Sequence, residues 1–179
     1  MKTIIYPLLL IPLWFTSPNI NTDSNDLPSG MKKNNQSLFY IERSKNRNRV
    51  YYDANFNSNG SLYIEHPIDA YWLNLEKDYG KREEMNFIEE KFAYGYKSKK
   101  INDKMFEIKL KAYSERPLIL FLDYKSKAKL YAVIKGKQAY LHCLYVKATD
   151  RGLATKVQYV ELFGVDIQTK KEMYEKIIP

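Results

Sequence analysis

A single cysteine, Cys143, stands in a chain of 179 residues, so no disulfide can form within it and a stapled mini-scaffold is excluded. Glycine and proline are scarce, seven of each, which excludes collagen-like and low-complexity chains. Only two histidines occur, His66 and His142, far apart in sequence. With no His-Glu-x-x-His and no Cys-x-x-Cys spacing, no metal site is predicted. There is no glycine-rich phosphate loop, no dinucleotide fingerprint and no Gly-x-Ser-x-Gly elbow, so no cofactor is expected. No apolar run reaches the roughly twenty residues of a membrane-spanning helix, which excludes a multi-pass membrane protein.

What is present gives an address first. Lys2 precedes a short apolar stretch, Ile4 to Phe15, followed by the small residues Thr16 and Ser17. Short, apolar and basic-fronted is the pattern of a secretory signal, read here as residues 1–17. An uncleaved interfacial anchor or a buried strand is the competing reading. Residues 18–36 are rich in Asn, Ser, Asp and Pro and carry little to bury, so they read as a flexible leader. Residues 37–179 then form one domain, and the chain is expected to be exported, to the periplasm or beyond, with no span left after signal removal. Oligomeric state is open.

Within the domain the dominant period is two. Phe106, Ile108, Leu110 and Ala112 alternate with Glu107, Lys109 and Lys111, a half-buried strand. Residues 117–124 are apolar almost throughout and predict a central strand covered on both faces, after a turn at Ser114–Pro117. Residues 128–135 and 138–147 flank Gly136 as a hairpin, and 154–163 follow a turn at Asp150–Gly152. Upstream, 38–44, 49–56 and 68–75 read as strands. Asn59-Gly60 signals a type I′ hairpin leading into 61–64. Met85, Ile88 and Phe92 recur at helical spacing, predicting an amphipathic helix over 81–93 with Gly95 just beyond it. A second helix is predicted over 170–177. The sum is a mainly β domain, an antiparallel meander forming a barrel or sandwich with one amphipathic helix packed on it.

The polar run from Glu42 to Asn59 is the most unusual stretch. Arg43, Lys45, Arg47 and Arg49 share one parity, Asn46 and Asn48 the other, and Asp53 and Asn55 follow. Guanidinium groups and amides at this density suit an anion or a sugar; an ordinary solvated hairpin has the same composition. Asp69, Tyr71 and Trp72 add a carboxylate and stacking faces, and Tyr94 and Tyr96 stand at the far end of the predicted helix. The candidate ligand-binding set is therefore Arg43, Asn46, Asn48, Asp53, Asn55, Asp69, Tyr71 and Trp72. His142 and Cys143 are expected on opposite faces of a strand and so not to cooperate.

The net charge of +8, much of it on Lys97, Lys99, Lys109, Lys111, Lys125, Lys127 and Lys129, reads mainly as a solvated outer face. Its partner of choice is an anionic glycan or lipid headgroup; nucleic acid is not expected.

Several of these stretches also carry a resemblance: Phe39 to Asn48, Val50 to Asn55, His66 to Trp72, Ala93 to Tyr96 and Tyr159 to Gly164. Together they are similar to a bacterial family of exported proteins known as DUF4833. That resemblance supports an exported single domain and assigns no catalytic residue. A non-enzymatic binding module for an anionic or carbohydrate ligand at the cell envelope is the first functional expectation. A structural envelope-assembly protein, and a hydrolase using Asp53 or Asp69 with His66, are the alternatives.

Overall fold

The computed structural model describes residues 36–151 and 154–178. The expected signal and leader, residues 1–35, lie outside them. The domain is mainly β, a curled half-barrel with a single short helix. Eleven strands follow in order: β1 (Gln36–Arg43), β2 (Asn46–Ala54), β3 (Ile68–Asn74), β4 (Lys81–Glu84), β5 (Tyr96–Asn102), β6 (Met105–Leu110), β7 (Tyr113–Leu122), β8 (Ala128–Ile134), β9 (Lys137–Arg151), β10 (Ala154–Asp166) and β11 (Glu172–Ile177). The sheet runs β4-β3-β2-β1-β9-β8-β7-β6-β5, with β10 and β11 branching from β9.

The branch has a simple cause. β9 gives β10 one edge over most of its length, while its other edge is divided: residues 137–140 pair with β8, and Cys143–Val146 pair with β1. The β1–β9 pairing is parallel, the exception in an otherwise antiparallel set. Ser44 prolongs it, its hydroxyl donating to the Ala148 carbonyl and accepting from the Ala148 amide.

Alternation builds the core. Ile41, Val50, Trp72, Leu144 and Leu162 lie opposite one another in register on the inner face. With Phe39, Tyr52, Phe106, Ile108 and Leu120 they form one buried cluster. Phe39 and Tyr52 stack at 4.3 Å.

The helix differs from the expectation. Lys81–Glu84 is strand, and helix starts at an Asn86 cap whose side chain accepts from the Ile88 and Glu89 amides, with Glu89 returning a bond to the Asn86 amide. This capping box opens α1 (Phe87–Glu89), which runs on as a π-helical turn, Glu90–Tyr94. Ile88 and Phe92, expected to face the core, are exposed. Gly95 follows the turn as its cap, and glycine is required there because a Cβ would stand 1.9 Å from the Glu90 carbonyl oxygen.

The helical segment links β4 to β5, the two ends of the curled sheet, and among the described residues no ladder joins those ends. Side chains join the two flanks instead. The Tyr52 hydroxyl donates to the Tyr94 carbonyl at 2.6 Å, and the Tyr96 hydroxyl donates to the Ile68 carbonyl while accepting from the Ile68 amide. The aromatic pair at the helix exit thus pins the helix to the sheet.

Four other expectations are corrected. Residues 172–177 form β11, not helix: exposed Glu172, Tyr174 and Lys176 alternate with half-buried Met173, Glu175 and Ile177, a period of two. The turn near 114–117 lies earlier, at 111–112, and Pro117 sits within β7, in the stretch 114–117 that pairs with neither β6 nor β8. Residues 61–64 make only a Phe56–Leu62 bridge, and of Asn59-Gly60 only Gly60 has positive φ, so the turn is not type I′. The strand at 117–124 is central, but only Leu118 and Leu120 of β7 are fully buried, so one face alone is covered.

Candidate binding site

The β1–β2 hairpin decides which polar residues meet. It pairs Ile41 with Val50 and Glu42 with Arg49, so odd positions of β1 share a face with even positions of β2. Parity therefore inverts across the turn, and the basic run does not form one stripe. Arg43 turns inward, onto Trp72; Arg49 turns outward, onto Tyr40.

On the inner side the Arg43 guanidinium lies 4.6 Å from the Trp72 ring centre and 5.5 Å from that of Tyr94, and it donates to the Tyr94 hydroxyl at 2.8 Å. Burial pushes the Tyr94 phenol up, with Arg43 pulling the other way. Beside this stack opens a cavity of about 260 Å³, lined by Arg43, Trp72, Asn48, Asn74 and Asn86 and by the carboxylates of Glu83, Glu84 and Glu89. The asparagine oxygens are committed to backbone: Asn48 accepts from Leu75, Asn74 from Glu76 and Lys77, Asn86 from the helix start. Each amide is thereby oriented, and its NH₂ is what it can offer a ligand. Arg43 Nε, Trp72 Nε1 and the Asn46 side-chain oxygen are buried with no hydrogen-bond partner among the described residues. Unpaired buried polar atoms cost stability and are uncommon.

On the outer side of β2 and β3 a different cluster forms. Asp53 faces Asp69 across the ladder. Asp53 is 1% exposed, and its Oδ2 accepts from the Tyr71 hydroxyl at 2.8 Å while Oδ1 has no partner among the described residues. Burial raises the Asp53 carboxyl above its ordinary range, against the pull of Tyr71 and Ser37. Arg82 lies 4.0 Å over the Tyr71 ring, grips Asp69 with both terminal nitrogens, and also reaches Glu84.

The eight candidates thus divide. Arg43, Asn48 and Trp72 share the inner cavity, and Asn46 is the register partner of Arg43. Asp53, Asp69 and Tyr71 belong to the outer cluster. Asn55 donates to the His66 carbonyl and, with His66 and Asp69, lines a separate cavity of about 350 Å³. Of the two carboxylates expected to act with His66, Asp69 lines that cavity with it and Asp53 lies outside its lining. Among the described residues no group of three or more His, Cys, Asp or Glu is placed to hold a metal ion.

His142 and Cys143 also depart from expectation. Phe163 pairs with Cys143 and Gly164 with Leu141, leaving His142 as the extra residue of a bulge. Leu141 and Leu144 are both in the core, so the two residues between them turn outward together. Burial pushes the Cys143 thiol up to about 11 and the neighbouring Tyr40 phenol up to about 12, which favours the protonated thiol over the thiolate near neutral pH.

Several pocket residues escaped sequence reasoning. The Asn86-x-x-Glu89 capping box was a readable signal. Arg82 was not, since nothing local distinguishes it in Lys-Arg-Glu-Glu.

Among the described residues no helix is long and apolar enough to cross a membrane. No curated protein and no solved structure matches this chain. The family model described as "Domain of unknown function (DUF4833)" matches residues 39–176, most of the sequence, and the chain belongs to that family.

Proposed function

We propose that this protein is an exported, non-enzymatic binding module at the cell envelope, and that the Arg43–Trp72 cavity holds a neutral carbohydrate. The observation that carries the reading is the pair of buried, unpartnered donors, Arg43 Nε and Trp72 Nε1, at a cavity where Arg43 has no carboxylate partner among the described residues. A ligand with hydroxyl or ring oxygens would satisfy both donors. Three lining glutamates disfavour an anion and suit a polyol, whose hydroxyls donate to carboxylates and accept from amides. Of the two ligand classes expected from sequence, the carbohydrate is therefore the better match.

The test is calorimetric titration of the full chain with neutral oligosaccharides, uronic acids and inorganic phosphate. Neutral sugars are expected to saturate, and Trp72→Phe, which keeps a ring and removes the indole N–H, to weaken them about tenfold. Binding of anions alone, or sugar affinity unchanged in Trp72→Phe, would sink the proposal.

A further inference from the structure

The outer face repeats one device. An aromatic ring carries a cation, and a carboxylate flanks the cation. Arg82 lies over Tyr71 beside Asp69 and Glu84, and Arg49 lies 4.5 Å over Tyr40 beside Glu42. The register continues this row: Tyr71, Tyr51, Tyr40, Cys143, Phe163 and Tyr174 are successive partners across β3, β2, β1, β9, β10 and β11.

At the β10–β11 end the device is incomplete. Phe163 and Tyr174 stand 5.2 Å apart, 37% and 41% exposed. Glu161 accepts from the Tyr174 hydroxyl at 2.7 Å, and Glu172 lines the same space. No arginine or lysine of the described residues stacks on either ring. Lys176, the register partner of Glu161, is engaged 3.5 Å over the Tyr159 ring instead. Cys143 is small, and with Gly164 it lines a groove of about 860 Å³ together with Tyr40, Tyr145, Phe163 and Tyr174. Gly164 is required there, because a Cβ would stand 2.5 Å from the Tyr140 carbonyl.

We propose that this groove is a second binding site, for a small organic cation on an apolar stem, whose ammonium group takes the place over Phe163 and Tyr174 that Arg49 takes over Tyr40. Rings attract such a cation through their faces, and Glu161 and Glu172 neutralise it. The apolar stem lies along Tyr145 and Tyr40, in a groove of a size typical for small ligands.

The experiment is an NMR titration of the full chain with hexyltrimethylammonium, hexylamine and neutral 1-hexanol, reading the ring signals of Phe163 and Tyr174. Both cations are expected to saturate, with 1-hexanol about tenfold weaker. Glu161→Gln should weaken the cations about three- to tenfold and leave 1-hexanol unchanged; Phe163→Leu should weaken the quaternary ammonium most. Phe163 is exposed and Glu161 half-buried, and unchanged melting temperatures would show that the fold is intact. Trp72→Phe should have no effect here, which separates this site from the inner cavity. Equal affinity for 1-hexanol, indifference to Glu161→Gln, or no saturation by either cation overturns the proposal.

Discussion

Two arginines sit on aromatic rings on opposite sides of the same strands, and their surroundings could hardly differ more. Arg82 over Tyr71 holds Asp69 with two hydrogen bonds and Glu84 with a third contact. Among the described residues Arg43 over Trp72 has a single neutral partner, the Tyr94 hydroxyl, and a buried nitrogen with none. A guanidinium whose charge is answered within the fold is cementing it. One whose hydrogen-bond partner among the described residues is a neutral hydroxyl, and which pairs with none of the three glutamates lining its cavity, is available to something else. Stacking on a ring does not by itself tell the two roles apart; the carboxylate inventory does.

Breaking the paired arginine should have the largest effect. Arg82→Ala leaves Asp69 beside the buried Asp53 carboxyl and uncovers Tyr71, so a loss of about 2–4 kcal/mol is expected in urea denaturation. A loss below about 1 kcal/mol would mean that the pairing is incidental.

A third arginine extends the comparison. Arg116 on β7 holds Glu175 on β11 through two bonds, and Glu175 also accepts from the Lys135 amide. The Arg116 hydrogen bond, more than any other influence, holds the Glu175 carboxyl below its usual range. That stabilisation is therefore full above the unfolded value, about 4.3, and disappears as pH falls through the lower folded value. Glu175→Gln should lose about 1 kcal/mol at pH 7 and flatten the acid limb of the stability profile.

Arg43→Met sharpens the contrast from the other side. It keeps an apolar stem on Trp72 and leaves no buried charge unpaired, so stability should change by no more than about 1 kcal/mol. Ligand-induced change in Trp72 fluorescence should nevertheless vanish. A loss as large as that of Arg82→Ala would place Arg43 among the cementing groups.

The smallest effect is expected at Asp53. Its carboxyl is raised by burial, so the native state takes up a proton before the unfolded chain does, and the wild type gains stability as pH falls through that range. Asp53→Asn keeps an acceptor for Tyr71 and should raise stability at pH 7 by up to about 1 kcal/mol, an advantage that shrinks on acidification.

These differences were only partly legible in the sequence. Alternation such as Phe106-Glu107-Ile108-Lys109-Leu110 reports burial directly, and those strands stand where they were expected. The helical spacing of Met85, Ile88 and Phe92 misled, because a short turn that bridges two sheet ends does not have to bury its apolar side chains. Residues 172–177 carry both helix-forming Glu and Lys and a period of two, and pairing to β10 decided between them. The candidate set divided because Tyr71 and Trp72, like Asn48 and Asp53, take opposite faces of one strand, and because the hairpin register, which no single strand encodes, sets Arg43 with Asn48 and apart from Arg49. Arg82 acquires its role only when β4 aligns with β3.

The divided edge of β9 carries a consequence for how the chain reaches this structure. β1 completes its pairing only with a segment about a hundred residues later; Ser44 and Ala148 are 104 apart. The first hairpin must wait, with one edge bare, until nearly the whole chain is available. Non-local pairing of this kind slows folding and leaves the early strands open to wrong partners. The assembly line of this protein therefore closes at its beginning, when β9, the third strand from the end, slides in beside β1.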